Sequence, residues 1–225
     1  MEETFSVSLS TVELFRLEDP LTESNCYILG CDGGAVVIDP NRADTPIACL
    51  EEHGWAVELI LLTHEHCDHM AGLEELRRRW PQAVTVASEA CSTGLSDEVQ
   101  NMSRWMEVYL AFQGKRDVNY PPFTCRPADL TFEQSWQHTW RGHTIRCVLL
   151  PGHTPGSCGI FWDEKLFFSG DYLIPDSEVV LRLPRGSAQD YKTYTKPFLD
   201  KLPAGLHILP GHGLPHIRPS ERDGL

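Results

Sequence analysis

The chain has 225 residues, of which 41% are hydrophobic and 23% charged, and this composition is ordinary for a globular protein with a substantial buried core. Its formal net charge of −13 argues against binding to nucleic acid or to an anionic membrane, because a polyanion would be repelled at long range. We therefore expect a small-molecule substrate, while no pattern in the chain predicts an oligomeric state.

The cysteines and the N-terminal residues predict a cytoplasmic protein. None of the eight cysteines forms a Cys-x-x-Cys pair, and Met1–Thr4 is acidic, unlike the basic start of a signal peptide. No apolar run in the sequence approaches the roughly 18 residues that a membrane span requires. Buried free thiols in a reducing compartment explain this pattern. Cys67 lies inside a histidine cluster, where it is either a small packing residue or a ligand or redox group.

Strands and helices alternate in the first half of the chain. Period-two alternation and continuous apolar runs predict strands over residues 5–9, 24–29, 35–38, 57–62 and 83–87. The segment Cys31–Gly34 is rich in turn residues and predicts a hairpin between the second and third of these strands. Helix-end signals predict helices over 45–54, with Thr45 as N-cap, and over 69–80, which ends at Trp80-Pro81.

Residues 91–128 are the least regular part of the sequence. Apolar residues recur there at helical spacing, namely Val99, Met102, Met106, Tyr109 and Leu110. This stripe predicts either a helix packed on the core or an apolar lid over a cleft.

The second half is rich in predicted strands, which cover residues 129–132, 136–140, 143–150, 158–162, 165–168 and 206–209. Ser187 and Asp190 have the spacing of a capping box and predict a helix that continues to about Leu202. Since the chain contains neither a low-complexity linker nor a tight repeat, we expect a single domain over residues 1–225. The order of elements indicates an α+β fold with mixed sheets layered with helices.

Four potential metal ligands follow the predicted strand 57–62 within six positions. His64 and His66 are two apart on extended backbone, so their side chains point the same way and can hold one ion. Asp68 and His69 lie where the next helix begins and can reach a second ion. Imidazoles with a carboxylate suit zinc, iron or manganese better than magnesium or calcium.

Three further polar residues end apolar strands, and each of them follows a glycine. They are His153, Asp171 and His212, preceded by Gly152, Gly170 and Gly211. Glycine permits the backbone to approach an ion closely or to adopt unusual dihedral angles. The three positions together with the His64–His69 cluster predict one metal cleft.

The set His64-x-His66-x-Asp68-His69, His153, Asp171 and His212 resembles the metallo-β-lactamase superfamily. Surrounding segments are also similar to that family, namely Ile38-Asp39-Pro40, Pro151–Ser157, Phe168–Asp171 and Pro210–Gly213. The resemblance implies an αββα sandwich of two mixed β-sheets flanked by helices. It also implies that one ion is held by His64, His66 and His153, a second by Asp68, His69 and His212, and both by Asp171.

Within the superfamily, the aspartate at the bridging position is similar to short glyoxalase II-like (hydroxyacylglutathione hydrolase-like) proteins. Arg182, the segment Pro184–Gly186 and the pair Glu221-Arg222 add to this similarity. The sequence departs from the family where the usual Gly-Arg-x-Asp is Leu181–Pro184, and where only 13 residues follow His212, in place of the C-terminal helical domain of glyoxalase II. The resemblance implies the hydrolytic core and does not extend to the elements that hold glutathione.

The expected activity is hydrolysis of a small thioester or ester by a hydroxide that bridges two divalent ions, zinc before iron or manganese. Asp171 is expected to fix the spacing of the ions, and Asp68 to orient the hydroxide as well as ligate. Tyr172 and Arg182 are the predicted substrate-binding residues, with packing as the alternative for Tyr172. Asp39 is either a hydrogen-bond partner of a ligating imidazole or a loop-capping residue.

Other activities remain open at the level of sequence. Persulfide dioxygenases of the same superfamily use one iron held by two histidines and a carboxylate, which this chain also contains. A lactonase or a phosphodiesterase is a further alternative, and a non-catalytic metal-binding scaffold is a different class of protein. Retention of all seven ligands favours an enzyme.

Overall fold

The computed structural model describes residues 12–219, which contain two six-stranded β-sheets. The first sheet consists of β1 (Glu13–Glu18), β2 (Asn25–Cys31), β3 (Gly34–Ile38), β4 (Ala56–Leu61), β5 (Val84–Ser88) and β6 (Leu130–Phe132). The second consists of β7 (Ser135–Trp140), β8 (His143–Leu149), β9 (Cys158–Trp162), β10 (Leu166–Gly170), β11 (His207–Pro210) and β12 (His216–Ile217). The predicted strand 5–9 and the Glu221-Arg222 pair lie outside the described residues.

Both sheets are mixed, as the resemblance implied. In the first sheet β1, β2 and β3 pair antiparallel, whereas β3, β4, β5 and β6 pair parallel. In the second sheet β10 and β11 form the parallel pair, and the remaining pairs are antiparallel. Parallel strands bring their carboxyl ends to the same edge of a sheet, and this edge carries the predicted ligands.

Alternation of side chains along the strands creates three layers of core. Leu29 and Val36 point into a core between the sheets, where they meet Ile160 and Phe168 of the second sheet. The neighbouring residue Ile28 points to the opposite face, which is covered by helices of the first half. The outer face of the second sheet is covered by the C-terminal helical segment. Helices on both outer faces complete the predicted αββα sandwich.

The helices of the first half are α1 (Asp44–Glu52), α2 (Cys67–Met70), α3 (Leu73–Arg79), α4 (Glu89–Gly94) and α5 (Met106–Phe112). The C-terminal helical segment consists of α6 (Ala188–Asp190), a π-helical turn (Tyr191–Thr195) and α7 (Lys196–Asp200). The Ser187 side chain accepts a hydrogen bond from the Asp190 amide, as the capping prediction required. The predicted N-cap Thr45 is wrong, since the N-cap of α1 is Ala43, two residues earlier. Among the described helices, none is long and apolar enough to cross a membrane.

The predicted helix 69–80 is two helices, because the chain is anchored to other loops where they meet. The Gly72 amide donates to the Pro40 carbonyl instead of to the carbonyl four residues earlier. That carbonyl, of Asp68, instead accepts from the Ser24 hydroxyl at 2.7 Å. A side chain on Gly72 would place its Cβ against the backbone carbonyl of Arg42, so only glycine fits this close approach.

The stripe in residues 91–128 is partly core and partly cleft. Met102, Met106 and Leu110 are buried and pack with Cys67 beneath the ligand loop. Met102, Met106 and Tyr109 also line the cleft above it. The segment is a short 3₁₀ turn (Ser103–Trp105) followed by α5, and it forms a wall of the cleft.

We predict that Gly72→Ala destabilises the protein by about 1–3 kcal/mol, because the added methyl group would displace the backbone of the loop that carries Arg42. Thermal and urea denaturation would measure this loss, with the exposed neighbour Ala71→Ser as control. An unchanged midpoint for Gly72→Ala would show that the two loops do not hold each other.

Candidate metal centre

The ligands meet at one edge because the two sheets are joined there. Thr63 follows β4, and its carbonyl accepts a hydrogen bond from the Cys158 amide at the start of β9. The Gly211 amide donates to the Gly170 carbonyl, which places the residues after β10 and β11 side by side. Asp171 and His212 therefore lie next to the loop that carries His64 and His66.

Three histidines form the first ligand group. The ligand atoms of His64, His66 and His153 all lie within 4.8 Å of one another. His66 Nδ1 and His153 Nε2 are only 3.0 Å apart. Two neutral imidazoles that direct lone pairs at each other at this distance repel, unless a proton or a cation lies between them.

Asp68, His69 and His212 form a second group within the same distance limit. The Oδ2 atom of Asp68 lies 3.4 Å from His212 Nε2 and 3.7 Å from His69 Nε2. The structure thus divides the six residues into the two triads that the resemblance implied.

Asp171 lies between the two triads and presents one oxygen to each. Its Oδ2 atom is 3.3 Å from His153 Nε2 in the first triad. Its Oδ1 atom is 3.2 Å from His69 Nε2 and 3.7 Å from His212 Nε2 in the second. A carboxylate in this position can ligate two ions, and all seven predicted ligands surround one cavity.

Hydrogen bonds to oxygen acceptors hold three of the imidazoles with Nε2 available as a ligand. His69 Nδ1 donates to the Asp39 carboxylate at 3.2 Å, and His153 Nδ1 donates to the Val180 carbonyl at 2.8 Å. His64 Nδ1 donates to the Thr63 hydroxyl at 3.0 Å, since that hydroxyl itself donates to Asp39. With the proton on Nδ1 in each ring, the Nε2 lone pair faces the cavity.

Asp39 is the partner that the two triads share. Its carboxylate accepts from the Thr63 amide at 2.7 Å and from the Thr63 hydroxyl at 2.6 Å, in addition to the imidazole of His69. The prediction of Asp39 as a hydrogen-bond partner of a ligand is confirmed. Thr63 was not singled out from the sequence, because a threonine at the end of a strand is common and carries no motif of its own.

The unpaired atoms of the cavity fit a divalent metal ion. His64 Nε2, His69 Nε2 and Asp171 Oδ1 are buried without a hydrogen-bond partner in the described structure. Buried polar atoms rarely remain without a partner, because each costs about 1–3 kcal/mol. Imidazole nitrogens and carboxylate oxygens at these separations are the ligand types of zinc, iron and manganese.

Burial and neighbouring charges shift the pKa values of the cavity residues in different directions. Burial, with the neighbouring imidazoles, lowers the pKa of His66 to about 3 and holds the pKa of His64 well below its usual value. Burial opposes ionisation of Asp68, but His69 and His212 outweigh it and lower the pKa of Asp68 to about 2. Burial likewise opposes protonation of His69, whose pKa the carboxylates of Asp68 and Asp171 nevertheless raise.

Glu65 is a buried acid that the sequence analysis missed. Its side chain is 2% exposed, and one of its carboxylate oxygens accepts a hydrogen bond from the Thr154 hydroxyl at 2.8 Å. Glu65 thereby connects the loop of His64 and His66 to the loop of His153. Its position between two ligands on extended backbone, which directs it to the opposite side, is the signal that could have identified it.

The predicted substrate contact of Tyr172 is wrong. The residue is 1% exposed, and its hydroxyl donates to the Leu150 carbonyl while it accepts from the His153 amide. Both hydrogen-bonding positions are thus used to hold the ligand loop of His153. Tyr172 is the packing residue that was its alternative.

Arg182 and Cys67 have different surroundings. Arg182 is exposed and lies near Tyr109, whose pKa it lowers against the larger effect of burial, so its predicted role in substrate binding stays a prediction.

Cys67 is fully buried, and burial raises the pKa of its thiol well above the usual value. Among the described residues, it belongs to none of the ligand groups, which agrees with the packing alternative.

A cleft of about 520 Å³ opens above the two triads. Its floor contains His66, Asp68, Asp171 and His212, and one wall is formed by the segment that carries Met102, Met106 and Tyr109. The opposite wall comes from the loop after Asp171, including Ile174 and Val180. A small organic molecule fits a cleft of this size.

Known proteins share this sequence pattern and this fold. A model of the metallo-beta-lactamase superfamily matches residues 19–212. The chain is 28% identical over 193 residues to a Bacillus subtilis (strain 168) protein named probable metallo-hydrolase YqgX, and the match covers 85% of each chain. Among solved structures, the BLEG-1 B3 metallo-beta-lactamase has a TM-score of 0.77 and 26% identity, with 93% of this chain and 96% of that one covered.

A match to a hydroxyacylglutathione hydrolase is shorter. The chain is 28% identical over 153 residues to the enzyme of that name from Xanthomonas axonopodis pv. citri (strain 306). This match covers 65% of the present chain and 44% of that enzyme, so it spans less than half of the relative.

We predict that Asp39→Asn lowers metal affinity about 10- to 100-fold, because an amide nitrogen would face a donor from Thr63 or His69. Competition with a chromogenic chelator would measure the affinity. Asp163→Asn is the matched control, since Asp163 also accepts from an imidazole and a backbone amide, outside the site. Equal affinity in both variants would exclude Asp39 as a support of the ligands.

For Glu65 we expect different results from two substitutions. Glu65→Gln retains an acceptor for Thr154 and keeps its metal, whereas Glu65→Ala opens a cavity and leaves that hydroxyl without a partner, at a cost of about 2–4 kcal/mol. Denaturation and metal titration of both variants would test this. Equal stability and equal metal affinity of the Gln and Ala variants would contradict a role for the hydrogen bond between Thr154 and Glu65.

Proposed function

The chain belongs to the metallo-beta-lactamase superfamily, and from this membership and the geometry of its site we propose that it is a dinuclear metallohydrolase of small thioesters or esters. The observation that carries the proposal is the position of Asp171, whose two carboxylate oxygens face two separate groups of three ligands. Two groups of three ligands with a shared carboxylate between them support two ions over one.

Seven residues would hold the ions. His64, His66 and His153 form the first site, Asp68, His69 and His212 form the second, and Asp171 belongs to both. Two divalent ions bound there would lower the pKa of a shared water from about 15.7 to about 7 and polarise the carbonyl group of the substrate.

The residues of the chain perform the remaining tasks of the proposed reaction. Asp68 is ionised at neutral pH and lines the cleft, so its carboxylate can accept a hydrogen bond from the attacking water and orient it. Val180 and Tyr172 hold His153 in place, and Asp39 holds His69 directly and His64 through the Thr63 hydroxyl. Met102 and Met106 exclude bulk water from one side of the cleft.

The surroundings of the site favour a thioester over a substrate with a poorer leaving group. A thiol leaves readily without protonation because its pKa is about 8.5. Among the described residues that line the cleft, no lysine is placed to act as a general acid. The described cysteines are all buried, so a cysteine nucleophile has no support either.

Elemental analysis of the purified protein, combined with a panel of a thioester, an ester, a lactone and a phosphodiester, tests the proposal. We expect about two equivalents of a divalent metal, zinc first, and hydrolysis of the thioester or ester. One equivalent of iron, with oxygen consumption in the presence of glutathione persulfide, would establish the dioxygenase alternative instead. Hydrolysis of only the lactone or only the phosphodiester would show that the substrate is not a thioester or ester.

We further predict that Asp171→Asn reduces thioester hydrolysis by at least about 100-fold and lowers the bound metal below two equivalents, because a neutral amide is a poor bridging ligand. Metal content and kcat/KM measured on the same sample would check this. Asp200→Asn, which changes an exposed partner of Lys196, is the control. Full activity of Asp171→Asn with one ion or none would refute the dinuclear scheme.

A further inference from the structure

Acidic side chains line the mouth of the cleft above the candidate metal centre. Asp176 and Glu178 line the cleft from the loop after Asp171, and both are exposed. A third acid, Glu23, lines it on the side of His212. Among the described residues that line this cleft, none is a lysine or an arginine.

The basic residues around the mouth are directed elsewhere or lie outside the lining. Lys115 is bonded to the Glu23 carboxylate and to the Leu21 carbonyl, each at 2.6 Å, so it neutralises Glu23. Arg185 donates to the Gln100 side chain at 2.6 Å. Within the described structure, no ion pair joins a basic side chain to Asp176 or Glu178, and these two acids outnumber Arg182, the exposed cation near the lining residue Tyr109.

Part of the cleft lining is apolar. Met102 and Met106 line the cleft together with Leu183, which packs against their cluster, and Ile174 and Val180 line it from the loop after Asp171. Methionine side chains adapt to ligands of varied shape, and the aliphatic residues give no hydrogen bond. An acyl chain would be accepted by this apolar lining, whereas a group that extends past it would meet the two carboxylates.

We infer that the substrate is a thioester or ester with an apolar acyl chain whose outward-reaching part is neutral or cationic, and that Asp176 and Glu178 select against anionic thioesters such as those of glutathione. The inference rests on the proposed hydrolase function and specifies its substrate class. The carboxylates of Asp176 and Glu178 would repel an anionic substrate, which lowers its affinity and slows its association with the protein.

Three butyryl thioesters that share an S–CH2–CH2 unit and differ in the charged or neutral group at its end provide the test. The thiols are thiocholine, which is cationic, N-acetylcysteamine, which is neutral, and 3-mercaptopropionate, which is anionic. Release of each thiol from the metal-loaded protein would be followed with a chromogenic disulfide. We expect kcat/KM for the anionic thioester to be at least about tenfold below that of the cationic one, a difference that shrinks as salt is added.

A charge-altered variant identifies the residues responsible. In Asp176→Asn/Glu178→Lys we expect the ratio of anionic to cationic kcat/KM to rise about tenfold. Asparagine is chosen because residue 176 has a φ of 56°, which asparagine tolerates. Glu89→Gln/Glu133→Lys carries the same net charge change on exposed acids of a separate cavity and should leave the ratio unchanged.

Binding provides a readout that does not depend on turnover. The corresponding thioethers, in which a methylene group replaces the carbonyl, would be titrated calorimetrically in the same order of charge. If none of the thioesters is cleaved, the proposed function fails, while the thioether affinities still test the charge preference. The inference is overturned if the anionic compounds bind or react best, above all if Arg182→Ala abolishes that preference, or if both double variants behave alike.

Discussion

The carboxylate of Asp39 is the hydrogen-bond acceptor on which both halves of the metal centre depend. Asp39 directly follows β3 and has a φ of 51°, a left-handed conformation that aspartate and asparagine adopt more readily than most residues. It accepts from the Thr63 amide and hydroxyl, and through Thr63 it orients His64, while it orients His69 directly. One buried carboxylate therefore fixes an imidazole in each triad, and β3 and β4 are paired in the register that permits this.

A second set of contacts anchors the ligands that come from the other sheet. The His153 backbone is held by Tyr172 and its ring by Val180, and the adjacent Thr154 is bonded to Glu65. Val180 belongs to the same loop as Asp176 and Glu178 and also lines the cleft. The loop that would contact substrate thus also orients His153, a predicted metal ligand, so substitutions in it are expected to affect binding and metal retention together.

The fold was predictable where burial alone decides the structure. The strands β3 and β9 are continuous apolar runs because both of their faces are covered, and such runs are visible without a template. The helix predicted over 69–80 was wrong in its continuity, because the break at Gly72 depends on the carbonyls of Pro40 and Arg42, about thirty residues earlier. Local periodicity contains no information about partners at that separation.

The sequence by itself determined the ligand types, their spacing and the strand ends that carry them, because metal ligation requires histidine and aspartate side chains at the ends of rigid elements. The tertiary structure alone decided which atoms converge and what supports them. In the folded protein, one oxygen of Asp171 faces each triad. The Tyr172 hydroxyl points into the protein interior, and the buried Glu65 side chain links two loops. These outcomes depend on hydrogen bonds and packing between residues far apart in the chain, which only the folded arrangement of the two sheets brings together.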